Sequence, residues 1–157
     1  MPSGIIGAGF ILHGVIAAPG YSLFLLPWAG AKSEAVLTRA QYSAALGGGA
    51  ASGPGVQSGN RPAWDWWFDS GTYKLAVIYL KDTDEGIATF YLDYPTTVGS
   101  TIDMYNASQT YNNYSEMTGI VPGQGVHTFS FVANSKNGSS VGYQVRPQSI
   151  AWIRTGS

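Results

Sequence analysis

Between Thr72 and Lys81 the chain reads TYKLAVIYLK. Tyr73, Leu75, Val77 and Tyr79 fall on one face of an extended strand, while Ala76, Ile78 and Leu80 make the other face apolar too. A strand apolar on both faces is expected in the middle of a sheet. Phe129 and Phe131 alternate with Thr128 and Ser130, which predicts a strand with one wet face. Similar runs predict strands over 63–68, 86–93, 98–105, 109–118, 125–133 and 142–154. Turns are expected at Asp69-Ser70-Gly71, Asp82–Glu85, Tyr94-Pro95, Val121–Gly123 and Ser135–Ser140. Turns about ten residues apart are the signature of an all-β antiparallel β-sandwich of jelly-roll type.

The first sixty residues are patterned differently. Gly4 to Pro27 is apolar, with no charged residue before Lys32, but Pro19-Gly20 splits it into two strand-length runs, Phe10–Ala18 and Tyr21–Trp28. Each is too short to span a bilayer, and no basic region precedes them as in a secretory leader. Two buried strands are expected instead. Residues 33–46 read either as a short helix capped by Ser33 or as a strand with Val36, Thr38, Ala40 and Tyr42 alternating; the β-rich surroundings favour the strand. Residues 47–62, GGGAASGPGVQSGNRP, hold nothing that packs a core and read as a loop or linker. The expected organisation is an apolar arm over 1–46, this linker over 47–62, and a jelly-roll module over 63–157.

Composition narrows the partners. Charged residues make up 11% of the 157 positions, well below the roughly 25% of an ordinary soluble domain. The surface must therefore be built from Ser, Thr, Asn, Gln, Gly and Tyr, a composition suited to broad contacts with protein or sugar. The eight Lys and Arg are scattered and the net charge is −1, which argues against nucleic acid and anionic membranes as partners. Near-zero charge also gives a free monomer little protection against association. The chain has no Cys, which excludes disulfides and thiolate metal sites.

Candidate chemistry is sparse. Trp64, Trp66 and Trp67 crowd one strand, with Trp64 and Trp66 on one face and Trp67 on the other. Trp64 and Trp66 are candidate contacts for a glycan or protein partner; the favoured packing alternative puts Trp67 in the core, with the other two covering the end of the sandwich or a subunit contact. Tyr111 and Tyr114, set among Tyr105, Asn106, Asn112 and Asn113, are candidates for the same role or belong to an ordinary solvated edge. The turn Asp82-Thr83-Asp84-Glu85-Gly86 is oxygen-rich but lacks the ligand spacing of a calcium loop, so a hydrophilic hairpin tip is expected. His13 and His127 sit in no nucleophile–base motif, and GGGAASGPG is no phosphate cradle. Two close carboxylates of a glycosidase remain open to a sequence reading. With nine acids, mostly in turns, the expectation is a protein that is not an enzyme, with no metal and no cofactor.

The order of several short elements resembles a known module. These are Gly71-Thr72-x-x-Leu75, Lys81, Gly86-Ile87, Leu92-Asp93, Val98-Gly99 and Ile102-Asp103-x-Tyr105. They continue with Thr118-Gly119-Ile120, Gly125-x-His127-Thr128, Lys136-Asn137-x-Ser139-Ser140-x-Gly142-Tyr143 and Ile153-Arg154. Together, over roughly residues 64–155, they resemble a jelly-roll module of tailed-bacteriophage virion proteins of the head-decoration, head-fibre and tail-fibre types. Asp93 departs from it, being followed by Tyr94-Pro95 where a turn glycine is expected, and Ser100 is an extra residue after Gly99. The resemblance implies a virion component. Its first expectation is a trimeric capsid-decoration protein that contacts the major capsid protein or other virion proteins and stabilises the head. The alternative is a fibre module that adheres to host glycans.

Overall fold

In a computed structural model, residues 22–25, 38–41, 49–52 and 61–157 are described. The apolar run at Thr72 forms an inner strand of a β-sandwich, buried at Tyr73, Leu75, Val77 and Tyr79 on one face and at Ala76 and Leu80 on the other. Elements in chain order are β1 Ser22–Leu25, β2 Thr38–Gln41, β3 Gly49–Ser52, β4 Ala63–Phe68, β5 Thr72–Lys81, β6 Ile87–Leu92, β7 Ile102–Asp103, β8 Thr110–Ile120, β9 Gly125–Ser135 and β10 Pro147–Gly156. One sheet has the order β1-β10-β5-β8 and the other β4-β9-β6-β7, and β2 pairs with β3 in a separate ribbon. Every ladder is antiparallel. The fold is an all-β antiparallel sandwich of jelly-roll type.

The core lies between the two four-stranded sheets. Tyr73, Leu75, Val77 and Tyr79 of β5 face Trp64 and Phe68 of β4, Phe90 of β6, and Phe129 and Phe131 of β9 across it. Rings meet edge to face: Phe129 and Trp152 have centroids 5.5 Å apart at 90°, and Phe68 and Trp152 5.1 Å apart at 89°. Such contacts add to burial that stabilises the fold by about 1.5–3 kcal/mol for each large side chain.

β4 and β5 have the bounds the pattern predicts, and β5 lies between β10 and β8 as a central strand should. Elsewhere the boundaries move. The strand expected over 98–105 is reduced to Ile102–Asp103, because Gly99 takes a left-handed conformation (φ +62°) that breaks an extended run. The strand expected from Gly142 begins only at Pro147. Ser130, expected on a wet face, is 2% exposed.

β3 corrects the expectation that 47–62 is loop throughout: Gly49–Ser52 pairs with Thr38–Gln41, which in turn selects strand over helix for that part of 33–46. A ladder needs only backbone donors and acceptors, which Gly, Ala and Ser supply. β1 falls inside the expected run Tyr21–Trp28 and pairs with Ile150–Ile153 of β10, so these four residues add a strand to the first sheet. The expected strand Phe10–Ala18 lies outside the described residues.

Candidate functional site

The antiparallel registers place the loops at two opposite ends. The β5–β6 turn and the β9–β10 connection share one end; the β4–β5 turn, the β8–β9 turn and the segment following β6 share the other. At the second end the loops leave a cleft of about 410 Å³. This falls within the roughly 300–1,000 Å³ typical of small-molecule sites. Thr96, Thr97, Val98 and Gly99 come to it from one loop and Ile120, Val121 and Pro122 from the other, with Asp93 and His127 beside them.

One wall is shaped by an unusual backbone. Asp93, where a turn glycine was expected, adopts φ +52°, and the Tyr94–Pro95 peptide is cis. The Thr96 N–H donates to the Asp93 carbonyl at 3.3 Å, and the Val98 N–H returns to the Phe90 carbonyl at 2.9 Å. Gly99 then runs against β8: a Cβ there would meet the Met117 side chain at 2.5–2.9 Å. The opposite wall turns at Gly119, φ +72°.

His127 ties the walls together. Its Nδ1 lies 2.5 Å from Asp93 Oδ2 and its Nε2 2.7 Å from the Gly123 carbonyl oxygen. Both partners are acceptors only, so the imidazolium is the state that satisfies both. Burial pushes the His127 pKa down, but the bonds to Asp93 and Gly123 prevail and hold it above the ordinary value. The Asp93 carboxyl is displaced downward. Burial opposes this, and the Thr128 N–H (2.8 Å to Oδ1) and His127 outweigh it. The Thr128 hydroxyl donates in turn to Asp65 Oδ1 at 2.6 Å.

The residues singled out in the sequence are not brought together here. Trp64 is a correction: at 5% exposure it is a core residue, stacked on Phe131 with centroids 5.7 Å apart. Trp66 is half-buried and packs against the same core. The outward tryptophan is Trp67, the one assigned to the interior, at 47% exposure with its Nε1–H donating to Asp69 Oδ1 at 3.2 Å. The alternation was right and the choice of face was reversed. Tyr111 is half-buried and donates to the Gln109 side chain. Tyr114 is 56% exposed, and its hydroxyl donates to Glu116 Oε2 at 2.5 Å. Neighbouring Asn113 serves the backbone, donating to the Tyr79 and Thr110 carbonyls at 3.2 Å each. None of the four candidates lines the cleft.

The expected hydrophilic tip at Asp82–Glu85 is also corrected. Glu85 is fully buried, with Oε1 2.7 Å from Arg146 Nη1, and Asp84 receives both Arg146 Nη groups at 3.0 and 2.8 Å. Burial above all pushes the Glu85 carboxyl from 4.5 up to about 8, against the pull of Arg146. The guanidinium fills the place among these oxygens that a cation would need.

Sequence reasoning passed over Asp93 and His127 as a pair, although both stand in the motifs that carry the resemblance. The signal was Asp93-Tyr94-Pro95 itself. A non-glycine residue at a turn position that wants positive φ is most often Asn or Asp, and such sites gather at functional loops.

No family model matches the chain, and no curated protein matches it. Solved structures do. A xanthan lyase from Paenibacillus aligns with 78% of this chain at 20% identity and a TM-score of 0.58, but the chain spans only 12% of that enzyme. A family 35 carbohydrate binding module from Clostridium thermocellum aligns with 75% of the chain, at 20% identity and a TM-score of 0.50, over 87% of its own length. Another family 35 module, from an environmental isolate, aligns with 78% at 15% identity and 0.51, over 89% of its length. The class these likenesses define is structural: a jelly-roll sandwich shared with carbohydrate-binding modules.

Proposed function

We propose that this chain is a non-catalytic carbohydrate-binding module and that the cleft between the 93–99 and 118–123 loops is its glycan site. The observation that carries the reading is the alignment with two family 35 carbohydrate binding modules over 87% and 89% of the aligned chains' lengths. The cleft adds suitable chemistry. Thr96, Thr97 and Thr118 offer hydroxyls, and Val98, Ile120 and Pro122 offer apolar surface to the C–H faces of a sugar ring. His127 has both ring nitrogens engaged, as a brace does, whereas a general base needs one free for its substrate.

The resemblance to phage modules supplies the setting. On a virion such a module would be a fibre or head appendage that adheres to host surface glycans, the alternative of the two expectations. Capsid decoration, a trimeric state and contacts with the major capsid protein are supported by the resemblance alone.

The test is a glycan array followed by an NMR titration of ¹⁵N-labelled protein with whichever saccharide binds. Saturable shifts at Thr97, Gly119, Val121 and His127 are expected. An array without any binder, together with tight saturating attachment to empty capsids, would overturn the glycan reading in favour of decoration.

A further inference from the structure

We propose that Asp93 sets the ligand class of this cleft: it admits uncharged and amino sugars, which present hydroxyl or ammonium donors, and turns away uronates and other anionic sugars. The proposal rests on the cleft being the glycan site.

The charge distribution carries the argument. Asp93 and His127 are the two ionisable residues among those lining the cleft; the rest are Leu, Val, Ile, Thr, Gly and Pro. His127 does not offer a free cation to a ligand, since its two nitrogens lie at 2.5 and 2.7 Å from Asp93 Oδ2 and the Gly123 carbonyl. The Asp93 side chain, by contrast, is 53% exposed. Thr128 N–H occupies one site on Oδ1 and His127 one on Oδ2, and each carboxylate oxygen can accept a second hydrogen bond. What Asp93 turns toward a ligand is therefore acceptor capacity, while the His127 imidazolium balances its charge from the side away from the free acceptor sites.

Two further groups bear on the sign of the potential. Asp65, bonded to the Thr128 hydroxyl at 2.6 Å, adds a second carboxylate behind Asp93. Arg61 is near the Asp93 turn, but its guanidinium lies 3.6 Å over the Tyr94 ring and does not line the cleft. The hydrogen bonds to Asp93 also displace its carboxyl pKa downward, so the charge persists across the neutral range.

An anionic sugar would thus bring its carboxylate against the Asp93 oxygens without a free cation in the lining to compensate it, and like-charge juxtaposition is a strong negative determinant of specificity. A sugar hydroxyl or protonated amine meets the same carboxylate as a charge-assisted hydrogen bond.

The test compares galactose-, galactosamine- and galacturonate-type ligands, with glucose and mannose counterparts, on one array at low salt. Affinities of cleft binders then follow by NMR. Neutral and amino forms are expected to bind at least about tenfold tighter than the matched uronate, a gap equal to about 1.4 kcal/mol. Asp93→Asn is the matching variant, because Asn tolerates the left-handed backbone at this position. It should narrow that gap to within about threefold, and the wild-type comparison stands even where the variant folds poorly. Uronates binding the cleft as tightly as their neutral forms would overturn this inference and leave the glycan site intact. Absence of any saccharide shift in the cleft overturns both.

Discussion

At the end of the sandwich where β5 turns into β6, Arg146 is 8% exposed and Glu85 is fully buried, and both Arg146 Nη groups are engaged by Asp84, Glu85 and Gln144. At the other end a carboxylate again meets a basic side chain, but Asp93 stays half in solvent and a cleft opens beside it. The components are alike and the outcomes are opposite. In the first case the ion pairs are closed off, and their effect is to pin the 82–86 turn to the 144–146 segment. In the second, hydrogen bonds fix the side chains and still leave acceptor sites facing outward. Burial, more than residue type, separates a closed clamp from a carboxylate left open to solvent.

The largest effect should come from breaking the closed end. Arg146→Ala leaves buried Glu85 and partly buried Asp84 without their cation and is expected to cost about 3–5 kcal/mol, read by urea unfolding. Its pH dependence sharpens the point. Glu85 titrates higher in the folded chain than unfolded, so its contribution is fully present below 4.5 and is lost as pH rises through about 8. Glu85→Gln removes that titration, so its stability relative to the wild type should improve steadily from acid to alkaline pH. A flat difference across that range would count against a raised Glu85.

At the open end Gly99→Ala should have an intermediate effect. The new Cβ meets Met117 and must also hold φ +62°, at a cost of about 1–3 kcal/mol in the same unfolding assay. It should also disturb amide shifts on both cleft walls.

The smallest of the three is His127→Gln, which removes the tie between the walls at about 1 kcal/mol. The His127 contribution is full below its ordinary 6.5 and is lost as pH rises through its raised value. Asp93, displaced downward, contributes above its ordinary 3.8 and loses its share as pH falls through its lowered value. The melting difference between wild type and variant should therefore be greatest in mildly acidic solution and shrink toward alkaline pH. A difference that grows with pH would contradict the brace.

Much of the fold could be read directly. The two-sided apolar pattern at Tyr73–Leu80 requires a covered strand, and punctuation at Asp69–Gly71, Asp82–Glu85 and Val121–Gly123 requires turns where the chain makes them. Period-two patterning is a local property, set by residues a few positions apart. The tryptophan strand shows how it can be misread. Alternation puts Trp64, Trp66 and Phe68 on one face and Ala63, Asp65 and Trp67 on the other, so Phe68 already marked the first face as the apolar one, and counting tryptophans alone missed it; in the fold that face packs beside Phe129 and Phe131 of β9 and against Trp152 of the other sheet.

The polar chemistry of the cleft depended wholly on tertiary structure. Asp93 and His127 stand 34 residues apart, in a loop and a strand, and neither lies in a local motif for binding. Their approach follows from the β6–β9 register, which pairs Leu92 with Phe129 and so brings Asp93 beside Thr128 and His127. Glu85 and Arg146, 61 residues apart, meet for the same kind of reason. Local sequence patterning was enough for strands β4 and β5, the main turns and the all-β class, while the bounds of β7, β10 and β3 were not legible in it. Which polar groups became buried clamps and which were left open to solvent was decided by long-range pairing, because hydrogen bonding and solvation depend on neighbours the local chain does not contain.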